Sequence, residues 1–108
     1  MNLSQFTGTE QWYRHPFSKV TYTDGVKYFA DEAGAYWFLD TAVCLPMEFP
    51  GEEFFSIALH SDEGKAKIVV DDGNNNVLMT KDIEFTDCPT GKYCFFLTND
   101  VLMLTSEY

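Results

Sequence analysis

"FFSIALHSDEGKAKIVV", residues 54–70, decides the fold class because apolar and polar side chains alternate along it. Successive side chains of a β-strand point to opposite faces, so a period of two predicts strands with one buried face. The turn residues at 61–64 divide the stretch into two strands of a hairpin. The side chains predicted to face the core are Phe55, Ile57, Leu59, Ala66, Ile68 and Val70.

The same pattern continues toward the C-terminus. Residues 77–85 alternate after the turn "DDGNNN" at 71–76, while 93–97 and 101–104 are apolar on both sides. Strands without a polar side are typical of central or covered positions in a sheet. Residues 54–104 therefore predict an antiparallel meander of four or five strands.

Before residue 46 the apolar period changes to that of a helix. The spacing of Val26, Phe29, Ala30 and Ala33 predicts a helix over 26–32 that stops at Gly34, although a hairpin strand is an alternative. "AYWFLDTAVC", residues 35–44, is apolar on nearly every side, which predicts a buried helix with Asp40 as its only charge. Residues 45–53, rich in Pro and Glu, are expected to form a loop between the two halves.

The first residues also carry helix signals. Thr7 and Glu10 fit a capping box, which predicts a short helix over 8–14 that ends before Pro16, and residues 19–22 favour a short strand. We therefore expect one α+β domain over residues 1–108. In it, the N-terminal short helices of 1–46 pack on one face of the four- to five-stranded antiparallel meander of 54–104.

A lone carboxylate in an apolar helix needs a partner, because an unpaired buried charge costs several kcal/mol. Arg14 and His15, in "QFTGTEQWYRHP" (5–16), are candidate partners for Asp40. The three residues are therefore predicted to form a structural clamp. The alternative is that Arg14 and His15 act as an acid/base or phosphate-contact pair, since a histidine titrates near neutral pH.

The charge of the chain is strongly unbalanced. Seventeen acids face seven bases, for a net charge of −10, and residues 31–87 hold thirteen of the acids but only three lysines. This excess disfavours direct binding to nucleic acid or to an anionic membrane and favours a basic protein partner, although acidity can also serve solubility alone. The predicted acidic binding surface consists of Glu52, Glu53, Asp62, Glu63, Asp71 and Asp72.

Motifs of catalysis and metal binding are weak throughout. Cys44, Cys88 and Cys94 form no CxxC pair, which is typical of a reduced, cytoplasmic protein without a disulfide framework or zinc site. Cys88 or Cys94 with His60 could form a thiol–base pair, but no third group to orient the base is evident. We expect no catalytic residue, no metal and no cofactor. Neither a signal peptide nor a membrane-spanning segment is expected.

Four blocks of the sequence carry a resemblance: "LSQFTGTEQWYRH", "YTDGVKYFADEAGAYWFLD", "IEFTDCPTG" and the terminal "VLMLTSEY". They resemble a family of small bacterial, plasmid and phage proteins of unknown function with the pattern QFTGTE-x-x-YRH, YTDGV, AYWLLD, TDFPL and a final LLPSEY. The sequence departs from that pattern at Cys88, Thr90 and Thr105. The resemblance implies a link with mobile genetic elements and carries no activity, cofactor or partner.

Two functions fit these observations. The first is a non-enzymatic protein-binding domain, a monomer or homodimer, that docks on a basic surface of a host protein of CRISPR or restriction type, as a phage or mobile-element inhibitor would. The second is a small enzyme or ligand-binding domain with an aromatic pocket between helices and sheet, lined by Trp12, Trp37 and tyrosines.

Overall fold

The computed structural model describes Leu3, Gln5, Phe6 and residues 11–108. Its sheet has seven strands in the order β1-β2-β7-β6-β3-β4-β5. Every neighbouring pair is antiparallel except β2 and β7, which are parallel. The strands are β1 (Trp12–Arg14), β2 (Thr21–Thr23), β3 (Phe54–Asp62), β4 (Lys65–Asp71), β5 (Val77–Ile83), β6 (Gly91–Thr98) and β7 (Val101–Leu104). The helices are α1 (Asp24–Ala33), α2 (Tyr36–Ala42) and α3 (Leu45–Glu48), and a 3₁₀ turn spans Thr105–Glu107.

The predicted fold class is wrong, because the sheet is larger and mixed. Residues 12–14, predicted as part of a helix, form β1 and pair with β2, where Tyr13 stacks on Tyr22 at 5.7 Å between ring centroids. Short helices have little intrinsic stability, so such pairing outweighs a local helix signal. The predicted capping box of Thr7 and Glu10 lies outside the described residues.

The parallel pair joins the two halves of the chain into one sheet. Thr21 is in register with Val101 and Tyr22 with Leu102, and the N–H of Thr21 donates to the carbonyl of Asp100 at 2.9 Å. The N-terminal half thus contributes two strands to the sheet in addition to the helices on its face.

The helix predicted over 26–32 is confirmed as α1, and its alternative as a hairpin strand is wrong. Thr23 caps its start by accepting a hydrogen bond from the N–H of Val26 at 3.4 Å. Gly34 ends it with a left-handed φ of 60°, a conformation that glycine adopts without steric cost.

The second predicted helix differs from expectation. α2 covers only residues 36–42, and the predicted loop begins with the short helix α3. Tyr36 and Asp40 of α2 are exposed, so this helix has one buried side, which carries Phe38, Leu39 and Ala42.

The core lies between the helices and the face of the sheet that they cover. Phe95 in β6 contacts both Phe29 of α1 and Phe38 of α2, with ring centroids 5.2 Å and 4.6 Å apart. The six alternating side chains predicted for β3 and β4 are all buried on this face. Among the described residues, no helix is long and apolar enough to span a membrane.

Candidate functional site

The six predicted acidic residues lie at two opposite ends of the sheet. Glu52 and Glu53 precede β3, while Asp71 is the last residue of β4 and Asp72 follows it. Because β3 and β4 are antiparallel, with Ser56 opposite Asp71, these four residues lie at the same end. The tight turn between β6 and β7 adds Asp100 there, since Phe54 is opposite Thr98. We call Glu52, Glu53, Asp71, Asp72 and Asp100 the acidic end.

Asp62 and Glu63 lie away from this group. At the far end of β3, Asp62 is the last residue of the strand and Glu63 lies in the turn that leads to β4. A strand of nine residues spans roughly 30 Å at about 3.3 Å per residue. The structure therefore does not bring all six acids together on one surface.

The two ends also differ in how many lysines stand near their acids. At the far end lysines face acids across the sheet: Lys65 is opposite Asp62, and Lys67 is opposite Asp82. At the acidic end Lys19 pairs only with Asp100, at 3.7 Å and with both side chains well exposed. Within the described part of the chain, neither the other four acids of this end nor Asp62, Glu63 and Asp82 of the far end make an ion pair, so the difference lies in where the lysines stand. The acidic end thus holds five acids beside one lysine, which leaves an excess of negative charge at this end of the sheet.

Part of the acidic end is concave. Glu52, Glu53 and Asp100 line a cleft of about 520 Å³ together with Pro46, Thr98 and Asn99. Within the described residues, no group of three or more His, Cys, Asp or Glu side chains is arranged to hold a metal ion. The cleft is thus an open, negatively charged depression in the surface.

The loop 71–76 holds its two aspartates in fixed positions. Asp71 Oδ1 accepts the N–H of Gly73 at 2.7 Å, and Asp72 Oδ1 accepts the N–H of Asn74 at 2.8 Å. The side-chain amide of Asn76 donates to Asp72 Oδ2 at 2.9 Å. The hydrogen bond from Asn76, followed by that from Asn74, lowers the pKa of Asp72 below its usual value. Sequence reasoning treated Asp72 only as a surface charge and missed this role in the turn.

His15 and Asp40 of the predicted clamp lie together, with the burial reversed from expectation. His15 Nε2 is 2.8 Å from Asp40 Oδ1, but the histidine is only 7% exposed while the aspartate side chain is 73% exposed. The premise that Asp40 is buried is therefore wrong, because α2 turns it toward solvent. Arg14 is exposed on β1 and makes no ion pair with the described residues.

The hydrogen bonds of His15 define what the pair can do chemically. The N–H of Phe17 donates to Nδ1 at 3.2 Å, so Nδ1 carries no hydrogen and Nε2 carries the one donated to Asp40. The nearby thiol of Cys44 donates to the carbonyl of Asp40 at 3.2 Å. Since both ring nitrogens of His15 are engaged, the arrangement is that of a structural link and not of a base poised beside a nucleophile.

The thiols of Cys88 and Cys94 are also poorly placed for catalysis with His60. Cys88 is buried, and burial raises the pKa of its thiol, which disfavours the nucleophilic thiolate. Cys94 is half-buried in β6, and His60 is exposed near the end of β3. Within the described residues, His60 makes no side-chain hydrogen bond with either thiol.

A hydrophobic groove of about 460 Å³ lies beside His15, between the β1–β2 connection and the helices α2 and α3. Phe17 and Met47 on its rim are 92% and 84% exposed, whereas Leu39 and Val43 form a buried floor. The groove differs from the aromatic pocket expected between helices and sheet, where Phe38 packs directly on Phe95. Its lining residues are His15, Pro16, Phe17, Ser18, Tyr22, Tyr36, Leu39, Asp40, Val43, Cys44 and Met47.

Two of the sequence blocks meet at the start of α1. The carboxylate of Glu107, in the terminal "SEY", accepts hydrogen bonds from Thr23 Oγ1 at 2.6 Å and from the N–H of Gly25 at 3.3 Å, both in "YTDGV". A family model covers residues 1–108 and so includes both blocks. The chain belongs to DUF6876, a family of unknown function. No curated protein and no solved structure matches it.

Membership in DUF6876 assigns no activity to the chain. The chemistry of this DUF6876 protein is therefore to be sought on its surface. Its two notable features are the acidic end and the hydrophobic groove.

Proposed function

We propose that this protein is a small, acidic, non-enzymatic binding domain that acts in the cytoplasm by docking its acidic end on a basic surface of a nucleic-acid-handling protein. The observation that carries the proposal is the separation of charge along the sheet. Lysines stand opposite Asp62 and Asp82 at the far end of the sheet, whereas the acidic end holds Glu52, Glu53, Asp71, Asp72 and Asp100 beside Lys19.

A basic groove that binds nucleic acid is complementary to such a surface. Uncompensated carboxylates on one end of a small protein can occupy the positions that phosphates take, and they steer a basic partner over about one Debye length, ~8 Å at physiological salt. The fixed aspartates of loop 71–76 suit this role, because their charges are held in place before the partner arrives. The resemblance to plasmid and phage proteins supports a host CRISPR or restriction protein as the partner.

The experiment uses two matched double variants. Glu52→Gln with Glu53→Gln removes two charges from the acidic end, and Asp62→Asn with Glu63→Gln removes two from the far end. Immobilised wild type and both variants are incubated with bacterial lysate at increasing salt, and captured proteins are quantified by mass spectrometry. Duplex DNA is then added as a competitor for the captured protein.

We expect capture of a basic nucleic-acid-binding protein that falls with salt, is displaced by DNA and is weakened only by the variant at the acidic end. Charge removal should act mainly on the association rate. Equal capture by all three proteins, without dependence on salt, would assign the acidity to solubility and overturn the proposal.

A further inference from the structure

We propose that the hydrophobic groove binds a short segment of the partner protein in which a large apolar side chain lies next to a lysine or arginine. The inference rests on the proposed function and specifies which part of the partner is recognised. Four properties of the groove carry it: its position, its exposed apolar rim, its charge and its size.

The groove adjoins the acidic end. Pro46 lines the acidic cleft, and the next residue, Met47, lines the groove. On the other side, the β1–β2 connection supplies Phe17 and Ser18 to the groove, and Lys19 reaches Asp100 of the acidic end. A partner held by the acidic end is therefore brought directly over the groove.

The rim of the groove exposes large apolar side chains. Phe17 and Met47 face solvent over most of their surface, and Tyr36 is 44% exposed. Covering this apolar surface stabilises a complex in proportion to the area removed from water. Contiguous apolar surface rimmed by polar groups is typical of protein-binding sites. Exposed carboxylates act mainly on the association rate. The groove can therefore supply binding affinity that the acidic end does not.

The charge in the groove selects the class of occupant. Asp40 lines it, and only one carboxylate oxygen, Oδ1, is engaged by His15. Oδ2 makes no hydrogen bond or ion pair with any described residue, and the side chain is 73% exposed. Glu48, also exposed, follows Met47 in the chain. A lysine or arginine beside the apolar anchor would therefore find a carboxylate ready to accept its hydrogen bond.

The same charge disfavours a second copy of this chain as the occupant. Two molecules that each carry a net charge of −10 repel one another. A volume of about 460 Å³ is in the usual range of ligand pockets, roughly 300 to 1,000 Å³, and accommodates a few side chains of a bound segment.

The test begins with a selection of random dodecapeptides displayed on phage against the immobilised wild-type protein. Enriched peptides are synthesised with a fluorophore, and their affinity is measured by fluorescence anisotropy. The first variant, Phe17→Ser with Met47→Ser, removes the exposed rim. The second, Asp40→Asn, removes the charge but keeps an oxygen that accepts the hydrogen bond of His15. Phe85→Ser is the matched control, because Phe85 is 89% exposed and follows β5 at the far end.

We expect enriched peptides that combine an aromatic or long aliphatic residue with a neighbouring Lys or Arg. The rim variant should weaken their binding more than about tenfold, on the scale of losing a central apolar anchor. Asp40→Asn should weaken binding less and reduce its dependence on salt, and Phe85→Ser should leave it unchanged. Thermal unfolding of each variant checks that the fold is retained.

Two outcomes would overturn the inference in distinguishable ways. The first outcome is that basic peptides bind the rim variant as tightly as wild type but bind the double variant Glu52→Gln with Glu53→Gln weakly. This result would exclude the groove as their binding site and would leave the proposed function standing. Enriched peptides without basic residues, bound equally at all salt concentrations, would overturn the inference, while capture from lysate by the acidic end tests the proposed function separately.

Discussion

Thr23 Oγ1 donates a hydrogen bond of 2.6 Å to Oε1 of Glu107, which ties the start of α1 to the last turn of the chain. Oε1 also accepts the N–H of Leu104 at 3.0 Å, and Oε2 accepts the N–H of Gly25 at 3.3 Å. The first N–H groups of a helix lack partners within the helix and carry partial positive charge. The carboxylate of Glu107, in the C-terminal turn, therefore caps α1.

Glu107→Ala removes all three of these hydrogen bonds. Hydrogen bonds to charged groups contribute about 1.5 to 3 kcal/mol each, and water replaces part of the loss at a half-buried site, so we expect a decrease of about 2 to 3 kcal/mol in the free energy of unfolding. Urea denaturation measures it. Glu53→Ala, an exposed acid without an ion pair to the described residues, should change stability by less than about 0.5 kcal/mol. Equal stability of both variants and wild type would show that the cap contributes nothing.

Gly25→Ala tests the close approach between α1 and the C-terminal turn. Alanine favours a helix over glycine by about 1 kcal/mol. A Cβ at Gly25, however, would lie 2.5 Å from Leu104 Cδ1 and 2.6 Å from Glu107 Oε1. We therefore expect a loss of about 1 to 3 kcal/mol, the usual scale of overpacking. Glu32→Ala, on the exposed side of the same helix, serves as control in urea denaturation, and a stabilising Gly25→Ala would contradict the contact.

The parts of the fold that the sequence predicted are those with local causes. The stop at Gly34 and the alternation in β3 and β4 lie within a few residues of the element that they define. β1 and β2 have three residues each, too few to show a period, and β2 pairs with a strand some 80 residues later. That pairing depends on tertiary contacts that no local pattern reports.

The candidate site was only partly accessible from the sequence for related reasons. Asp40 was assigned to a buried helix because its neighbours are apolar, yet α2 has only seven residues and leaves it on the open side. Acids in different turns lie at the same end of the sheet only if the order and direction of the strands bring them there. The sequence alone therefore does not show that Asp62 and Asp71 lie at opposite ends. Phe17 and Met47 are isolated apolar residues next to prolines, and nothing in their neighbourhood signals a groove.

The lowered pKa of Asp72 predicts a dependence of loop 71–76 on pH. A depressed pKa means that the ionised carboxylate stabilises the folded loop above the ordinary pKa of 3.8, and that this contribution is lost as pH falls through the lowered value. The amide signals of Asn74 and Asn76 should therefore shift below pH 3.8 in an NMR titration. Asp72→Asn should abolish that shift, and a midpoint at or above 3.8 would contradict the hydrogen bonds described.

Asp40→Ala tests the link between α2 and the β1–β2 connection. The variant leaves the Nε2–H of a buried histidine without its partner, which costs about 1 to 3 kcal/mol. We expect the lower half of that range, because the exposed side of the pair lets water approach. Asp40→Asn keeps an accepting oxygen and should cost less than the alanine variant, so the order of the two in urea denaturation checks the role of the hydrogen bond.

Two controls separate that hydrogen bond from the charge of Asp40. Glu48→Ala removes a nearby exposed acid that makes no ion pair with the described residues, and it should change stability by less than about 0.5 kcal/mol. In a double-mutant cycle, His15→Ala should make Asp40→Ala nearly neutral, since the buried donor is then gone. If Asp40→Ala unfolded like wild type in the presence of His15, the link would add nothing to the fold. Because Glu48→Ala and Asp40→Asn each remove one negative charge, a larger loss of stability in Asp40→Ala than in either of them is due to the hydrogen bond and not to the charge.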